Sequence, residues 1–529
     1  MALTDKAKKL QESLLEPLGE SPGDLLDQGR PRALISPATA APAGSDGAPA
    51  AIDLAAPLHF DDRNVDINEG TRFMNALCAL LVNTKPGEIK SFSGLLEAVG
   101  RLTAKIDDTI RGHLDLVFHD DDFQALEATW RGLHDLASSV EADDVIIDFL
   151  DVSKEELRHD LIDHETDIFG SEFFHKVYIE EYDRYGGKPF ASMIGLYEFD
   201  STAQDIDWLK VMGKVANASH CPFIAAAAPT FFYPYKTMEE VAQIGDLDAV
   251  LGHPYFGKWH ELRDTDYAAY IGLTLPRYLI RAPWGSPGTS QWGNSLGYTE
   301  SVIPGRTDDA GNFLWGSATI LFARNMVRSY ETSGWAQHIR GPRAGGLVEG
   351  LTVFMYQKNG YEEIQPPIEI AIPDFRELQF AKNGFIPLVH KKNEAVATFF
   401  SAQSIKTPRF FVEDLNTKNA HLVTNLAYTF SITRIAHYVK RMMREYIGSV
   451  ADGPYIQQVL SGWLGGYVTT ITNPDDLTLR YYPFKAVAVE VEPKPGPFGW
   501  YKSTISVLPH LQFEGMDVEL RLEAALGGP

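Results

Sequence analysis

The chain has 529 residues, with 47 Lys+Arg against 71 Asp+Glu and a formal net charge of −24. That acidic balance argues against wrapping nucleic acid or anionic lipid, because phosphate binding needs a basic surface. No window approaches the ~20 apolar residues of a membrane span. Two cysteines, Cys78 and Cys221, cannot build a disulfide framework, and the opening "MALTDKAKKLQESLLEPLGES" has no apolar signal core, so a cytoplasmic protein is expected. Single cores stop growing at roughly 250–300 residues, so several units are expected.

Leu3, Ala7, Leu10, Leu14 and Leu18 step by four and three, which predicts a short amphipathic helix that Thr4 caps and Pro17 ends. A second small cluster follows at "DLLDQ", and Pro31 to Pro57 is Ala/Pro/Gly-rich, the composition of a flexible tether. Residues 1–60 are therefore expected to form a tail. Residues 61–140 read as helical. In "DDFQALEATWRGLHDL", Phe123, Leu126, Trp130, Leu133 and Ala137 share one face, which predicts core packing for Trp130 and a close backbone approach at Gly132.

"EADDVIIDFLDV", from Glu141 to Val152, looks like a strand. "KPFASMIGLYEFD" and "CPFIAAAAP" read as buried strands, with the helix "AQDIDWLKVMGKVANAS" between them. That β-α-β succession predicts a largely parallel sheet in a middle domain, residues 141–375. Gly, Pro and Trp become dense from Arg281 to Gly316, marking long loops. The last domain, 376–529, holds a long helix over His421 to Ile447 that Gly448 stops. After it, "KAVAVEVEP", "GWYKSTISVLPH" and "MDVELRLEA" alternate as antiparallel strands do. The fold class is thus a mixed α/β and α+β, multi-domain chain.

Three motifs approach chemistry without reaching it. "GHPYFGKW" has the spacing of a phosphate loop, but Trp259 stands where Ser or Thr must hold Mg²⁺. "GNSLG" matches a nucleophile elbow around Ser295, yet no strand precedes it and no helix follows. In "HDLIDHETD", His159 and His164 sit roughly 140° apart on a helix and converge poorly on a metal. No catalytic residue, metal ligand or cofactor site is expected.

The long helix is basic in an acidic chain. Tyr428, Ile432, Ile435, Val439, Met442 and Tyr446 make an apolar stripe, while Arg434, His437, Arg441 and Arg444 make a second, with Lys440 beside it. From Arg376 to Glu445 there are 11 basic and 5 acidic residues. The helix dipole accounts for cations at its end, worth about 0.3–1 kcal/mol each, but not for Arg434.

"SITRIAHYVKRMMREYIGS", "WLGGYVTTITNPDD" and "LPHLQFEGMDVELRL", together with "GWAQHIRGPRAGGLVEGL" and "NGFIPLVHKKNEAVATFFSAQS" before them, resemble the large subunit of the type VI secretion contractile sheath, the TssC/VipB family. The resemblance runs from about Gly70 to the C-terminus. It implies a structural protein, not an enzyme, that pairs with a small sheath subunit (TssB/VipA type). The pairs would self-associate into a helical sheath around an inner tube protein (Hcp type), attach to a baseplate, and contract, with no membrane insertion. It also implies strands exchanged between protomers, for which Val487, Val489, Val491, Val518 and Leu520 are candidates. Arg434, Lys440, Arg441 and Arg444 would face the tube or a neighbour's carboxylates. Leu14, Leu15, Leu18, Leu25 and Leu26 would be read by a recycling AAA+ unfoldase (ClpV type), although Pro17 and Gly29 interrupt that pattern. The alternatives are a one-polypeptide sheath of a related injection machine or phage tail, and an α/β hydrolase using Ser295.

Overall fold

A computed structural model describes residues 92–143, 145–286, 298–409, 420, 422–447, 449, 452–469, 471, 474–494, 501–510 and 520–524. The chain divides into two compact units, Met1–Asp120 with Pro287–Glu300, and Asp121–Ser286 with Ser301–Pro529. In the first, helix α1 (Phe92–Phe118) is tied near its end by the Tyr298 hydroxyl, which donates to Asp115 at 2.7 Å. The Phe118 and Tyr298 rings lie 5.7 Å apart.

The second unit begins with helices α2 (Asp121–Ser138) and α3 (Lys154–Asp163), then a π-helix over His175–Asp183. Next come β1 (Met193–Phe199), α4 (Ala203–Ser219), β2 (Phe223–Ala227) and β3 (Ile271–Leu275). They are followed by α5 (Ala318–Ser333), β4 (Leu347–Glu349), α6 (Asp374–Lys382), β5 (Phe385–His390) and β6 (Val396–Phe399). These strands form one six-stranded sheet in the order β1-β2-β3-β5-β6-β4. β1, β2, β3 and β5 run parallel, and β6 pairs antiparallel with both β5 and β4.

The expected β-α-β unit is present. Thr202 caps α4 by accepting from Asp205 N–H, and His220 ends it in the left-handed region at φ 51°. Strand alternation then sorts the core. Phe223, Ala225, Leu273, Phe385 and Val389 point to one face, where they meet Trp208, Leu209 and Met212 of α4. Ile224, Ile386, Leu388 and Phe399 point to the other, against Ile320, Leu321 and Phe322 of α5. Both faces are covered, as a parallel sheet requires. Trp259, the residue that spoils the phosphate-loop pattern, is buried with its ring 4.9 Å from Phe231.

Two expectations fail in this part. Residues 145–152 form no strand, and Ile146 and Phe149 among them are 63% and 59% exposed. Trp130 is not core but 66% exposed, because α2 turns Gly132 and Leu136 inward instead. A Cβ on Gly132 would lie 3.1 Å from Ile320 Cγ1, so the expected close approach is what sets the helix's buried face.

The long basic helix is α7 (Leu426–Glu445), capped by Asn425, whose side chain accepts from Ala427 N–H. Helix α8 (Gly453–Gly465) follows, then β7 (Phe484–Pro493), β8 (Tyr501–Pro509) and β9 (Leu520–Ala524) in an antiparallel sheet. A third core joins Ile435 and Val439 of α7, Ile456, Leu460 and Leu464 of α8, and Val489, Ile505 and Val507 of the sheet. The first half of α7 belongs to the core beside α5, through Leu426, Ala427 and Phe430.

Gly272 lets that first half seat on the sheet. A Cβ there would lie 2.8–3.0 Å from side-chain carbons of Leu426, Ile224 and Ile386. Gly272→Ala is therefore expected to destabilise the chain by about 1–3 kcal/mol through overpacking. An unchanged denaturant midpoint would show that Leu426 relaxes freely.

Candidate assembly surfaces

The apolar stripe of α7 buries Tyr428, Ile435 and Val439, which turns the cationic stripe toward the π-helix and solvent. The four predicted cations then divide. The Arg434 guanidinium sits 5.1–5.2 Å from the ring centres of Tyr438 and Tyr330 and 6.0 Å from that of Trp335, and it donates to the Tyr438 hydroxyl at 3.1 Å. Each cation–π contact is worth about 0.5–2 kcal/mol.

Lys440 Nζ lies 2.8 Å from Asp183 Oδ1 and 3.7 Å above the centre of the Tyr182 ring. Arg444 shares the same carboxylate oxygen at 3.0 Å and donates to the Arg184 carbonyl at 3.0 Å. One carboxylate at the end of the π-helix therefore holds two cations of α7. The Lys440 hydrogen bond keeps the Asp183 carboxyl below the usual range, while burial draws Lys440 down. Arg441 is exposed and has no ion pair among the described residues.

Behind these cations lies an aromatic bracket. His437 on α7 donates from Nε2 to the Ser219 carbonyl at 3.1 Å, and its ring lies 5.3 Å from Tyr182 and 6.5 Å from His220. His220 Nδ1 stands 3.4 Å from the Tyr270 hydroxyl. Burial pushes both histidines down to about 4. The bracket joins α7, the end of α4 and the π-helix. Sequence reasoning missed Tyr178, Tyr182, Asp183 and His220, since nothing local pairs them with residues some 250 positions later.

The strand candidates are split as well. Val487, Val489 and Val491 lie on β7 opposite Val507, Ile505 and Ser503, and all three valines join the third core. Leu520 begins β9 opposite Val507. Val518 lies outside the described residues, as do Leu14, Leu15, Leu18, Leu25, Leu26 and Ser295. At its start β7 bonds to Tyr467 and Thr469, but beyond that no described strand pairs with its second edge. The Asp160 carboxylate in the histidine-rich stretch accepts from Ser171 Oγ and from the Glu172 and Phe173 amides, so it serves the start of the next helix.

Residues 100–406 match the VipB family model described as the EvpB/VC_A0108 tail sheath N-terminal domain, and residues 415–526 match the tail sheath gpW/gp25-like domain of the same group. The chain belongs to the type VI secretion sheath large-subunit family, TssC/VipB. It is 36% identical over 437 residues to the type VI secretion system sheath protein TssC1 of Pseudomonas aeruginosa, covering 82% of this chain and 86% of that one. A chain of the cryo-EM structure of the anti-feeding prophage baseplate overlaps 61% of this chain and 63% of its own, at 9% identity and a TM-score of 0.29, too low to support a structural correspondence. Family membership makes this a structural protein, and among the described residues no helix is long and apolar enough to cross a membrane.

The histidine bracket sets a pH window. Each ring folds with its pKa near 4 against about 6.5 unfolded, so the unfolded chain takes up protons first as pH falls. Stability should be full above about 6.5 and decline toward 4, by roughly 3 kcal/mol per histidine. Denaturant midpoints for the wild type and His437→Gln between pH 7 and 4 check this. The wild type should lose stability faster, and parallel curves would remove His437 from the account.

Proposed function

We propose that this chain pairs with a small sheath subunit of the TssB/VipA type and that the pairs polymerise around an inner tube of the Hcp type. The sheath, attached to a baseplate in the cytoplasm, contracts to drive the tube outward. The observation that carries this reading is 36% identity across 82% of the chain to a type VI sheath protein. The chain acts as a lever and wall, not as an enzyme. After contraction, a ClpV-type unfoldase would engage the tail through Leu14, Leu15, Leu18, Leu25 and Leu26.

The C-terminal sheet supports strand exchange between protomers. β7 offers a long edge whose main-chain groups an incoming strand could extend, while Val487, Val489 and Val491 anchor its inner face. For the basic helix, Arg441 is the cation best placed to face the tube or a neighbour's carboxylates. Lys440 and Arg444 support it by fixing the helix end on Asp183, and Arg434 by packing on Tyr330, Trp335 and Tyr438. Exposed pairs contribute about 0–1 kcal/mol each, small enough for a tube to be held at many points and still released.

Electron microscopy of the chain, alone and co-expressed with a small subunit, tests the first reading. Long hollow tubes should appear only with the partner. Tubes formed by this chain alone would favour a one-polypeptide sheath, and compact particles throughout would return attention to Ser295. Arg441→Glu should lower the fraction of tube-filled sheaths and leave thermal stability unchanged. Undiminished filling would remove Arg441 from the tube contact.

A further inference from the structure

Charge is distributed unevenly along the six-stranded sheet. At its β1 end lies the segment between α2 and α3, which holds no basic residue from Glu141 to Ser153. The segment finishes on β1, where the Tyr197 hydroxyl donates to the Val152 carbonyl and Lys154 Nζ to the Glu198 carbonyl, each at 2.7 Å. Val145 and Ile147 pack into the core beside α5, while Ile146, Phe149 and Leu150 stand exposed. Asp148 and Asp151 are exposed among them and form no ion pair among the described residues.

At the β4 end the sign is reversed. From Gly334 to Gly346 there is no acidic residue, and the loop leading into β4 carries Arg340 and Arg343. That loop is clamped to β6, since Gly341 N–H donates to the Phe399 carbonyl at 2.7 Å and Phe399 N–H to the Gly346 carbonyl at 3.0 Å. Gly341 at φ 72° and Gly345 at φ 92° supply a turn that other residues rarely adopt. Arg328 of α5 braces it, donating to the Gly345 and Leu347 carbonyls at 2.8 and 2.7 Å. Burial, and then repulsion by Arg324 and Arg480, draws Arg328 down against the pull of Glu349. Arg343 is exposed and Arg340 half-buried, and neither forms an ion pair among the described residues. Apolar surface lies here too, on Phe400 beside β6 and on Leu477 and Tyr481 of the short helix Asp476–Tyr481, whose Arg480 sits by Arg328.

We propose that the acidic ledge at the β1 end of one copy docks on the arginine loop at the β4 end of the next. This rests on the self-association proposed above and names one of its contacts. Asp148 and Asp151 supply the carboxylates that Arg340 and Arg343 lack, and Ile146, Phe149 and Leu150 meet the apolar surface beside that loop. Six strands at the ~4.8 Å spacing set the two ends about 24 Å apart, so each copy can offer both at once. Such a head-to-tail contact repeats from copy to copy and builds rings or filaments. The small subunit fits less well, since it would have to meet opposite signs at opposite ends of one sheet.

Sedimentation and electron microscopy of the chain co-expressed with a small subunit test it. Asp148→Lys with Asp151→Lys, and separately Arg343→Glu, should raise the concentration needed for sheath formation at least about tenfold. Both variants should bind the small subunit as the wild type does. All three substitutions in one chain restore opposite signs at the contact and should recover sheath formation. Either variant assembling at the wild-type concentration overturns the contact, and so does a triple variant no better than its parents. Loss of small-subunit binding in either variant overturns the choice of partner. A wild-type chain that pairs but never polymerises overturns the self-association reading and this proposal with it. Should a charge reversal unfold the chain, Asp148→Asn with Asp151→Asn, and Arg343→Gln, decide by the same measurement.

Discussion

The structure hangs on the burial of one helix in two cores. The first half of α7 lies over the parallel sheet, where Gly272 leaves room for Leu426. Its second half packs against α8 and the C-terminal sheet through Ile435 and Val439. A rotation of this helix would expose apolar side chains in both cores at once, costing roughly 1.5–3 kcal/mol for each large residue. The ion pairs along it are worth less than that, so packing sets its rotation and the cations take the positions left to them.

Those positions explain how a basic helix exists in an acidic chain. Arg434 is held against Tyr330, Trp335 and Tyr438, while Lys440 and Arg444 converge on Asp183. Most of the positive stripe is thereby spent inside the protomer, tying α7 to the π-helix. π-helical turns are rare and recur at functional sites, and this one carries Tyr178, Tyr182 and Asp183 onto the same few side chains of α7. Arg441 alone of the four is left to solvent, so the charge available to another molecule is smaller than the stripe implies.

The two sheets differ in what they leave open. The C-terminal sheet is antiparallel and has its valines packed on α8, with the long edge of β7 open beyond its start. The central sheet is covered on both faces, and its end strand β1 shifts register between Ile194 and Glu198 and takes Lys154 Nζ on the Glu198 carbonyl. Main-chain edges are strong, obligatory hydrogen-bonding groups. An open edge such as that of β7 is what a strand of another chain needs in order to pair with it.

The amino-acid sequence by itself determined the local elements and the family. Capping residues, the four-and-three stripe of α7, the β-α-β run and the alternating C-terminal strands are short-range patterns, and each follows from a period of 3.6 or 2. Several long motifs in order carried the family resemblance for the same reason, because they are contiguous. Tertiary structure decided which apolar faces were core. Trp130 lies on a sound amphipathic stripe yet faces out, since Gly132 and not the stripe meets Ile320. The run at 145–152 has strand composition but no ladder, because a strand needs a partner and none of the described segments supplies one. The fate of the basic stripe was equally beyond reach, since its carboxylate and rings lie some 250 residues earlier and only folding brings them to 3 Å.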